Sequence, residues 1–301
     1  MMAKARIAVV GAGLMGHGIA QVFALAGHEV KITDTVVKNL DTATSRIAAN
    51  LRDLGEDEGA VERVQPSVDL TDAVHDADYV VEAVSENLEL KKKLFAELER
   101  RTRPDTILAS NTSVIPITAI MQDLSRRERA VGTHWWNPPF LVPLVEVIGT
   151  QWTSPRTIEW TMELHAAAGK TPAHVKKDVP GFIGNRLQHA LWREAISLVE
   201  HGICDAKTVD DVVKASFGRR LAVLGPIENA DQVGTDLTLA IHDVVLPAIE
   251  NRPGPSSYLQ DLVANGKLGF KSGEGFQKWS PEQQAALRAR VMRHLKAMRN
   301  T

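Results

Sequence analysis

The sequence predicts an α/β protein in which a doubly wound, mostly parallel sheet is followed by an all-α domain, and three observations carry that prediction. A short apolar run breaks at a glycine-rich turn and passes directly into helical spacing. Runs of strand character then alternate with helical patterns as far as residue 148, and from residue 181 onward the apolar residues recur almost wholly at helical intervals. Taken in order, residues 6–10 (RIAVV) read as the first strand, and Ile19, Ala20, Val22, Phe23 and Ala26 continue as a helix. Residues 29–33 (EVKIT) read as the second strand. Further strands are expected at 77–84, 106–110, 130–133 and 144–148, with the helical pattern Leu88, Lys91, Lys92, Phe95 and Leu98 between the first two of these. An extended run is expected at 173–177. Asp178-Val179-Pro180-Gly181 then reads as a linker, which divides the chain into 1–180 and 181–301. In the second part, Ile183, Leu187, Leu191, Ile196 and Val199 form a helical stripe, and helices are expected again at 206–216, 235–251 and 281–299.

Composition bounds the function. The chain has 301 residues, 44% hydrophobic and 24% charged, enough for two domains with substantial cores. A formal net charge of −2 gives no basic field to recruit nucleic acid or an anionic membrane surface, so neither is expected as a partner. No run of about 18 apolar residues occurs, and the start of the chain shows no charged, apolar and cleavage-site pattern. The single cysteine, Cys204, excludes an intrachain disulfide and reads as a small apolar filler. The expectation is a cytoplasmic protein. No metal is expected, because the His134-x-x-Asn137 pattern lacks further ligands at metal spacing.

The glycine turn has a mechanism. Gly11 permits the turn, Gly13 lets backbone approach a pyrophosphate, and Gly16 lets helix and strand pack closely. Together with Leu14 and Met15 they form a candidate cofactor-binding loop at a helix N-terminus. Asp34 ends the second strand, where it can accept from a ribose 2′-hydroxyl and repel a 2′-phosphate, so this Rossmann-type unit is expected to bind NAD. Ligands of such sheets bind beyond the carboxyl ends of the strands, where Gly11, Asp34, Glu86, Ser113 and His134 all fall.

A second constellation lies between Asn111 and Glu146. Asn111-Thr112-Ser113 follows a strand, His134-Trp135-Trp136-Asn137-Pro138-Pro139 follows another, and Glu146 stands inside the apolar run LVEVI. His134 can take a proton near neutral pH, Ser113 and Asn137 can hydrogen-bond a substrate oxygen, and a buried carboxylate is costly unless paired. A histidine partner resolves the cost of Glu146. Blander readings stand beside these: Glu146 as a strand-end cap, Asn185 as a helix cap, Trp135 and Trp136 as core. His28, His75, His165, His174 and His294 are expected to be solvated, and Arg288, Arg290, Arg293, Lys296 and Arg299 to form a solvated helix face.

The blocks GAGLMGHGIA, ADYVVEAVSENLELKKKLFAEL, NTSVIPIT, VGTHWWNPPFLVPLVEVI, DVPGFIGNRL and GKLGFKSGEGF resemble, in order and spacing, the L-3-hydroxyacyl-CoA dehydrogenase family over nearly the whole chain. The resemblance implies that His134 is the general base and Glu146 its partner. It further implies that Ser113 and Asn185 contact the reacting oxygen and that Asn137 supports the histidine. Glu86 and Lys91 match positions that contact the nicotinamide half of NAD, and Asn111 and Ser113 count among the cofactor-binding positions. It also implies a homodimer, and oxidation of the secondary alcohol of a short L-3-hydroxyacyl-CoA to the 3-keto product, as in fatty acid metabolism. In one respect the chain departs from the family's CoA enzymes, which carry a lysine-rich helical hairpin here: residues 39–70 hold Arg46, Arg52 and Arg63 but no lysine, and include the acidic Glu56-Asp57-Glu58. The double proline after Asn137 also resembles the free-acid members. A free hydroxy acid, sugar acid or pyridine alcohol is therefore the alternative substrate, and an NADH-binding structural or sensor protein the alternative of another class.

Overall fold

A computed structural model describes residues 3–299; the initial Met1-Met2 lies outside the described residues. The first half alternates as expected. β1 (Arg6–Val10) leads through the glycine turn to α1 (Gly16–Leu25) and β2 (Glu29–Thr33), then to α2 (Val37–Asp41), α3 (Ala43–Leu54) and β3 (Val64–Pro66). After these come α4 (Leu70–Val74), β4 (Tyr79–Glu82), α5 (Leu88–Arg101), β5 (Ile107–Ser110) and α6 (Ile117–Met121). β6 (Ala130–Trp135), β7 (Leu144–Ile148), α7 (Pro155–Ala167) and β8 (Thr171–Val175) complete the sheet. Its order is β3-β2-β1-β4-β5-β6-β7-β8, with every neighbouring pair parallel except β6 and β7.

Helices cover both faces of the sheet, so the central strands are continuously apolar. One core holds Ile19, Phe23, Ile47, Leu51, Trp135 and Leu164 from α1, α3, β6 and α7; the other holds Phe95, Leu98, Ile117, Met121 and Phe182 against the opposite face. The structure trims the expected strand 77–84 to Tyr79–Glu82 and lengthens 130–133 to Ala130–Trp135. The lengthening has a cause in pairing: antiparallel β7 carries the ladder onward through His134 and Trp135. The extended run expected at 173–177 lies instead at Thr171–Val175.

Two histidines depart from the solvated reading. His28 is buried and its Nδ1 accepts from the Ala5 N–H at 3.0 Å. His165 is fully buried among the rings of Phe23, Tyr79 and Trp135, with Nδ1 bonded to the Thr161 carbonyl at 2.7 Å. Aromatic edges replace water around it.

The chain forms two compact units. One runs to Arg186 and takes in the stretch from His294 on; the other is Leu187–Arg293. Just past the division expected at 180/181, the backbone of Ile183 and Gly184 and the side chain of Asn185 are still hydrogen-bonded to groups of the first unit. The face expected to be solvated at 288–299 carries two surface ion pairs: Lys296 pairs with Asp53 at 2.6 Å and Arg299 pairs with Glu56.

The second unit is helical, built from α8 (Gly184–Glu200, beginning in the first unit), α9 (Ala206–Ala215), α10 (Pro226–Val233), α11 (Thr235–Val245), α12 (Ser257–Ala264) and α13 (Pro281–Met298, ending in the first unit). Bonds to two of its glutamates anchor α8 within this unit: the Ser257 hydroxyl donates to Glu200 at 2.7 Å and Arg252 to the same carboxylate at 3.1 Å, and the Glu250 N–H donates to Glu194 at 2.7 Å. Few side chains here are buried, and Leu237, Leu239, Ile241 and Val244 of α11 are exposed.

Candidate active site

At the end of β1 the chain turns at Gly11 with φ +106°, and a Cβ there would meet the Ala83 carbonyl oxygen at 2.6 Å. A Cβ at Gly16 would lie 1.7 Å from the Gly11 oxygen, so only glycine lets α1 start this close to the strand. Gly13 differs: nothing lies within 4 Å of the position its Cβ would take. The backbone N–H groups of Gly13, Leu14 and Met15 form no hydrogen bond among the described residues and stand at the positive end of α1. A closed turn with an open, donor-rich face fits a dinucleotide pyrophosphate.

Asp34 sits where β2 ends. It accepts from the Ala12 N–H at 2.7 Å, the Val36 N–H at 2.7 Å and the Asn39 amide at 3.2 Å, which fixes the carboxylate beside the turn. Arg46 lies in the segment where the chain departs from the family's CoA enzymes, and it braces the turn: its guanidinium donates to the carbonyls of Ala12 at 2.5 Å and Asn39 at 2.9 Å.

The ends of β4 and β5 are organised by two glutamates. Glu86 accepts from the Thr112 hydroxyl at 2.6 Å and from the N–H groups of Ser113 at 2.9 Å and Val114 at 3.1 Å. It therefore shapes the loop that carries Ser113, whose own hydroxyl is exposed and unbonded among the described residues. Lys91 is fully buried, with Nζ 2.6 Å from Glu82 and 3.4 Å from Glu86. Glu82 is a site residue that sequence reasoning does not reach on its own. Its signal is present, since a carboxylate in the apolar run YVVE raises the same burial problem that singles out Glu146.

His134 and Glu146 are direct cross-strand partners in the antiparallel register of β6 and β7, on the same side of the sheet. Nδ1 of His134 lies 2.8 Å from Glu146 Oε2, and both side chains are almost wholly buried. The other carboxylate oxygen accepts from the N–H groups of Ile183 at 2.8 Å and Gly184 at 3.0 Å, so Glu146 also caps the positive end of α8. Burial alone would raise its pKa. The bond from His134 and those from Gly184 and Ile183 outweigh that and hold the carboxyl below its usual range. An ionised Glu146 requires Nδ1 of His134 to be the protonated nitrogen, which leaves the Nε2 lone pair without a protein partner among the described residues. This is a base held in one tautomer.

The same segment brings Asn185 to the site, its amide donating to the Ser113 carbonyl at 2.8 Å. Phe182 packs against the imidazole at 5.6 Å between centroids and holds φ at +51°, a conformation that a bulky side chain rarely adopts. Trp136 flanks the imidazole at 5.4 Å, and a Cβ on Gly184 would strike its ring at 2.5 Å, which explains glycine at the start of α8. Asn111 turns its carbonyl to the Trp135 N–H at 2.9 Å, so it spaces β5 from β6. Asn137 is not brought in: it is exposed beside the cis Asn137–Pro138 bond, and no hydrogen bond among the described residues joins it to His134.

The chain is similar to known proteins over most of its length. The sequence matches the family model "3-hydroxyacyl-CoA dehydrogenase, NAD binding domain" over residues 6–179 and "3-hydroxyacyl-CoA dehydrogenase, C-terminal domain" over residues 181–279. It is 37% identical to the 5-formyl-3-hydroxy-2-methylpyridine 4-carboxylate 5-dehydrogenase of Mesorhizobium japonicum, covering 97% of this chain and 96% of that protein. It is 38% identical to the human mitochondrial hydroxyacyl-coenzyme A dehydrogenase over 91% of this chain and 90% of that one. Among solved structures, a 5-formyl-3-hydroxy-2-methylpyridine 4-carboxylic acid 5-dehydrogenase described as an NAD+-dependent dismutase superposes with a TM-score of 0.92 at 36% identity, covering 99% of this chain and 98% of that one.

Proposed function

The chain belongs to the 3-hydroxyacyl-CoA dehydrogenase family, enzymes that use NAD to oxidise CH–OH groups, and from that premise we propose that His134 is its general base and a small free acid its substrate. NAD supplies the hydride acceptor. Nε2 of His134 takes the hydroxyl proton of the substrate, and Glu146 stabilises the imidazolium that forms, through the bond to Nδ1. The Ser113 hydroxyl and the Asn185 side chain, joined through the Ser113 carbonyl, orient the reacting oxygen. Gly11, Gly13, Leu14, Met15, Gly16 and Asp34 receive the adenosine and pyrophosphate parts of the cofactor. Glu86, Lys91 and Asn111 shape the loops around its nicotinamide end. The observation that carries this reading is the buried His134–Glu146 pair at 2.8 Å with the second imidazole nitrogen left free. An intact pair of this kind speaks against a purely structural or sensor role.

The free-acid reading rests on the cations of residues 39–70. Arg46 is committed to backbone carbonyls of the glycine turn, Arg52 is paired with Glu58 at 2.6 Å, and Arg63 reaches the Ala24 carbonyl at 3.4 Å. The lysine and arginine arriving from the chain's end meet Asp53 and Glu56. A CoA phosphate would find no uncommitted guanidinium there among the described residues. The similarity over almost its full length to the pyridine-carboxylate enzyme supports the same choice, while the human relative supports the acyl-CoA alternative. The test is NADH formation across 3-hydroxyacyl-CoA esters of graded length beside free 3-hydroxy acids, gulonate and aromatic alcohols. Turnover of free acids without the esters is expected, and efficient turnover of any ester would overturn the free-acid reading. The exposed Leu237, Ile241 and Val244 on one side of α11 support a homodimer, and the single cysteine a reducing, cytoplasmic setting.

A further inference from the structure

We infer that Glu82, Lys91 and Glu86 act together as a fixed negative charge that makes this enzyme hold the cationic, oxidised cofactor more tightly than the neutral, reduced one. The three form an ion triad in which the Lys91 ammonium bridges Glu82 at 2.6 Å and Glu86 at 3.4 Å, with Glu82 and Lys91 sealed from solvent. Two carboxylates around one ammonium leave one uncompensated negative charge. It cannot turn outward to water, because Glu82 also accepts from the Ser110 hydroxyl at 2.7 Å and the Val84 N–H at 2.7 Å, and Glu86 accepts from three groups of the Ser113 loop. Burial pushes the Glu86 carboxyl upward, yet the Thr112 hydroxyl, Lys91 and the N–H groups of Val114 and Ser113 hold it below its ordinary value. Glu86 stays ionised.

The place of the triad is set by topology. Strand order reverses between β1 and β4, and a dinucleotide lies across such a switch point. Its adenosine end belongs with Asp34 at β2, so its nicotinamide end lies over the ends of β4 and β5, which are Glu82 and Ser110. The nicotinamide ring is positive in NAD+ and uncharged in NADH, and the two forms carry the same phosphates. A unit charge held on a sealed pair and a partly exposed Glu86, in a site of effective dielectric about 20, separates two such ligands by on the order of tenfold in affinity. A mere prop for the loop would change both affinities together.

The inference rests on the cofactor and not on the substrate, so failure of the free-acid reading leaves it standing. Dissociation constants for NADH, by fluorescence titration, and for NAD+, by competition, are measured on the full chain. Glu86→Gln and Glu82→Gln each remove the uncompensated charge, and each should weaken NAD+ on the order of tenfold while leaving NADH within about twofold. Glu82→Gln combined with Lys91→Met leaves Glu86 alone and restores one negative charge, so the ratio of the two constants should return toward wild type although more bonds have been lost. Equal loss for both cofactor forms, an unchanged ratio in the single variants, or no recovery in the double variant would each overturn it. Glu86, 37% exposed at its side chain, tolerates the amide and carries the test if Glu82→Gln does not fold.

Discussion

Phe182 shows how the site is held at the scale of one residue. A bulky side chain in the left-handed region costs about 1–2 kcal/mol, and the ring is retained because it fills the second core and backs the imidazole of His134. Phe182→Gly relieves the backbone but empties a core position worth about 3–5 kcal/mol. A net loss of about 2 kcal/mol in denaturant unfolding is expected; a more stable variant would show that strain outweighs packing. His134 and Glu146 are legible in the sequence, one by its polar neighbours at a strand end, the other by its isolation in LVEVI. Their direct register is not, because an apolar run carries no sign of strand direction, and β7 and β8 run opposite to the other strands. Asn137 reads in sequence as a partner of His134, but nearness along the chain does not bring its exposed side chain to the imidazole.

At the scale of elements, strands buried on both faces show themselves as continuous apolar runs, and the glycine turn fixes β1, α1 and β2 in place. α7 escapes such a reading. Its cues are the Ser154 cap and Pro155 in the first turn, but its inward face mixes Thr157, Thr161 and His165 with Leu164, which blurs the helical stripe. That mixture has a consequence for pH. Burial lowers the His165 pKa from 6.5 to about 4, so between those values the unfolded chain binds a proton that the folded chain refuses. Stability therefore falls as pH drops from 6.5 toward 4, by about 3 kcal/mol. Glu146 and Glu86, whose pKa values are depressed, contribute stability that is present above the ordinary glutamate pKa and lost as pH falls through their folded values. His165→Phe should flatten the melting-temperature profile between pH 6.5 and 4 without touching the steeper loss below; an unchanged slope would refute the burial account.

On the whole molecule, the sequence separates a sheet-based half from a helical one but places the seam at the proline-glycine linker. The boundary between the compact units falls after Arg186, because Glu146 draws the start of α8 into the nucleotide-binding unit. The helical unit leaves Leu237, Leu239, Ile241 and Val244 in solvent, and a helical pattern in sequence does not say which copy of the chain covers it. Sedimentation equilibrium should give about twice the 32.9 kDa chain mass, and a strictly monomeric protein at micromolar concentration would refute the homodimer. The proposed mechanism depends on an oriented imidazole meeting the cofactor at the carboxyl ends of the strands. The decisive measurement is the turnover of His134→Gln on the best substrate found, taken beside its NADH dissociation constant. The expected result is a loss of turnover on the order of 10²- to 10⁴-fold with NADH binding nearly unchanged; a variant that turns over at the wild-type rate would contradict the assignment of the base.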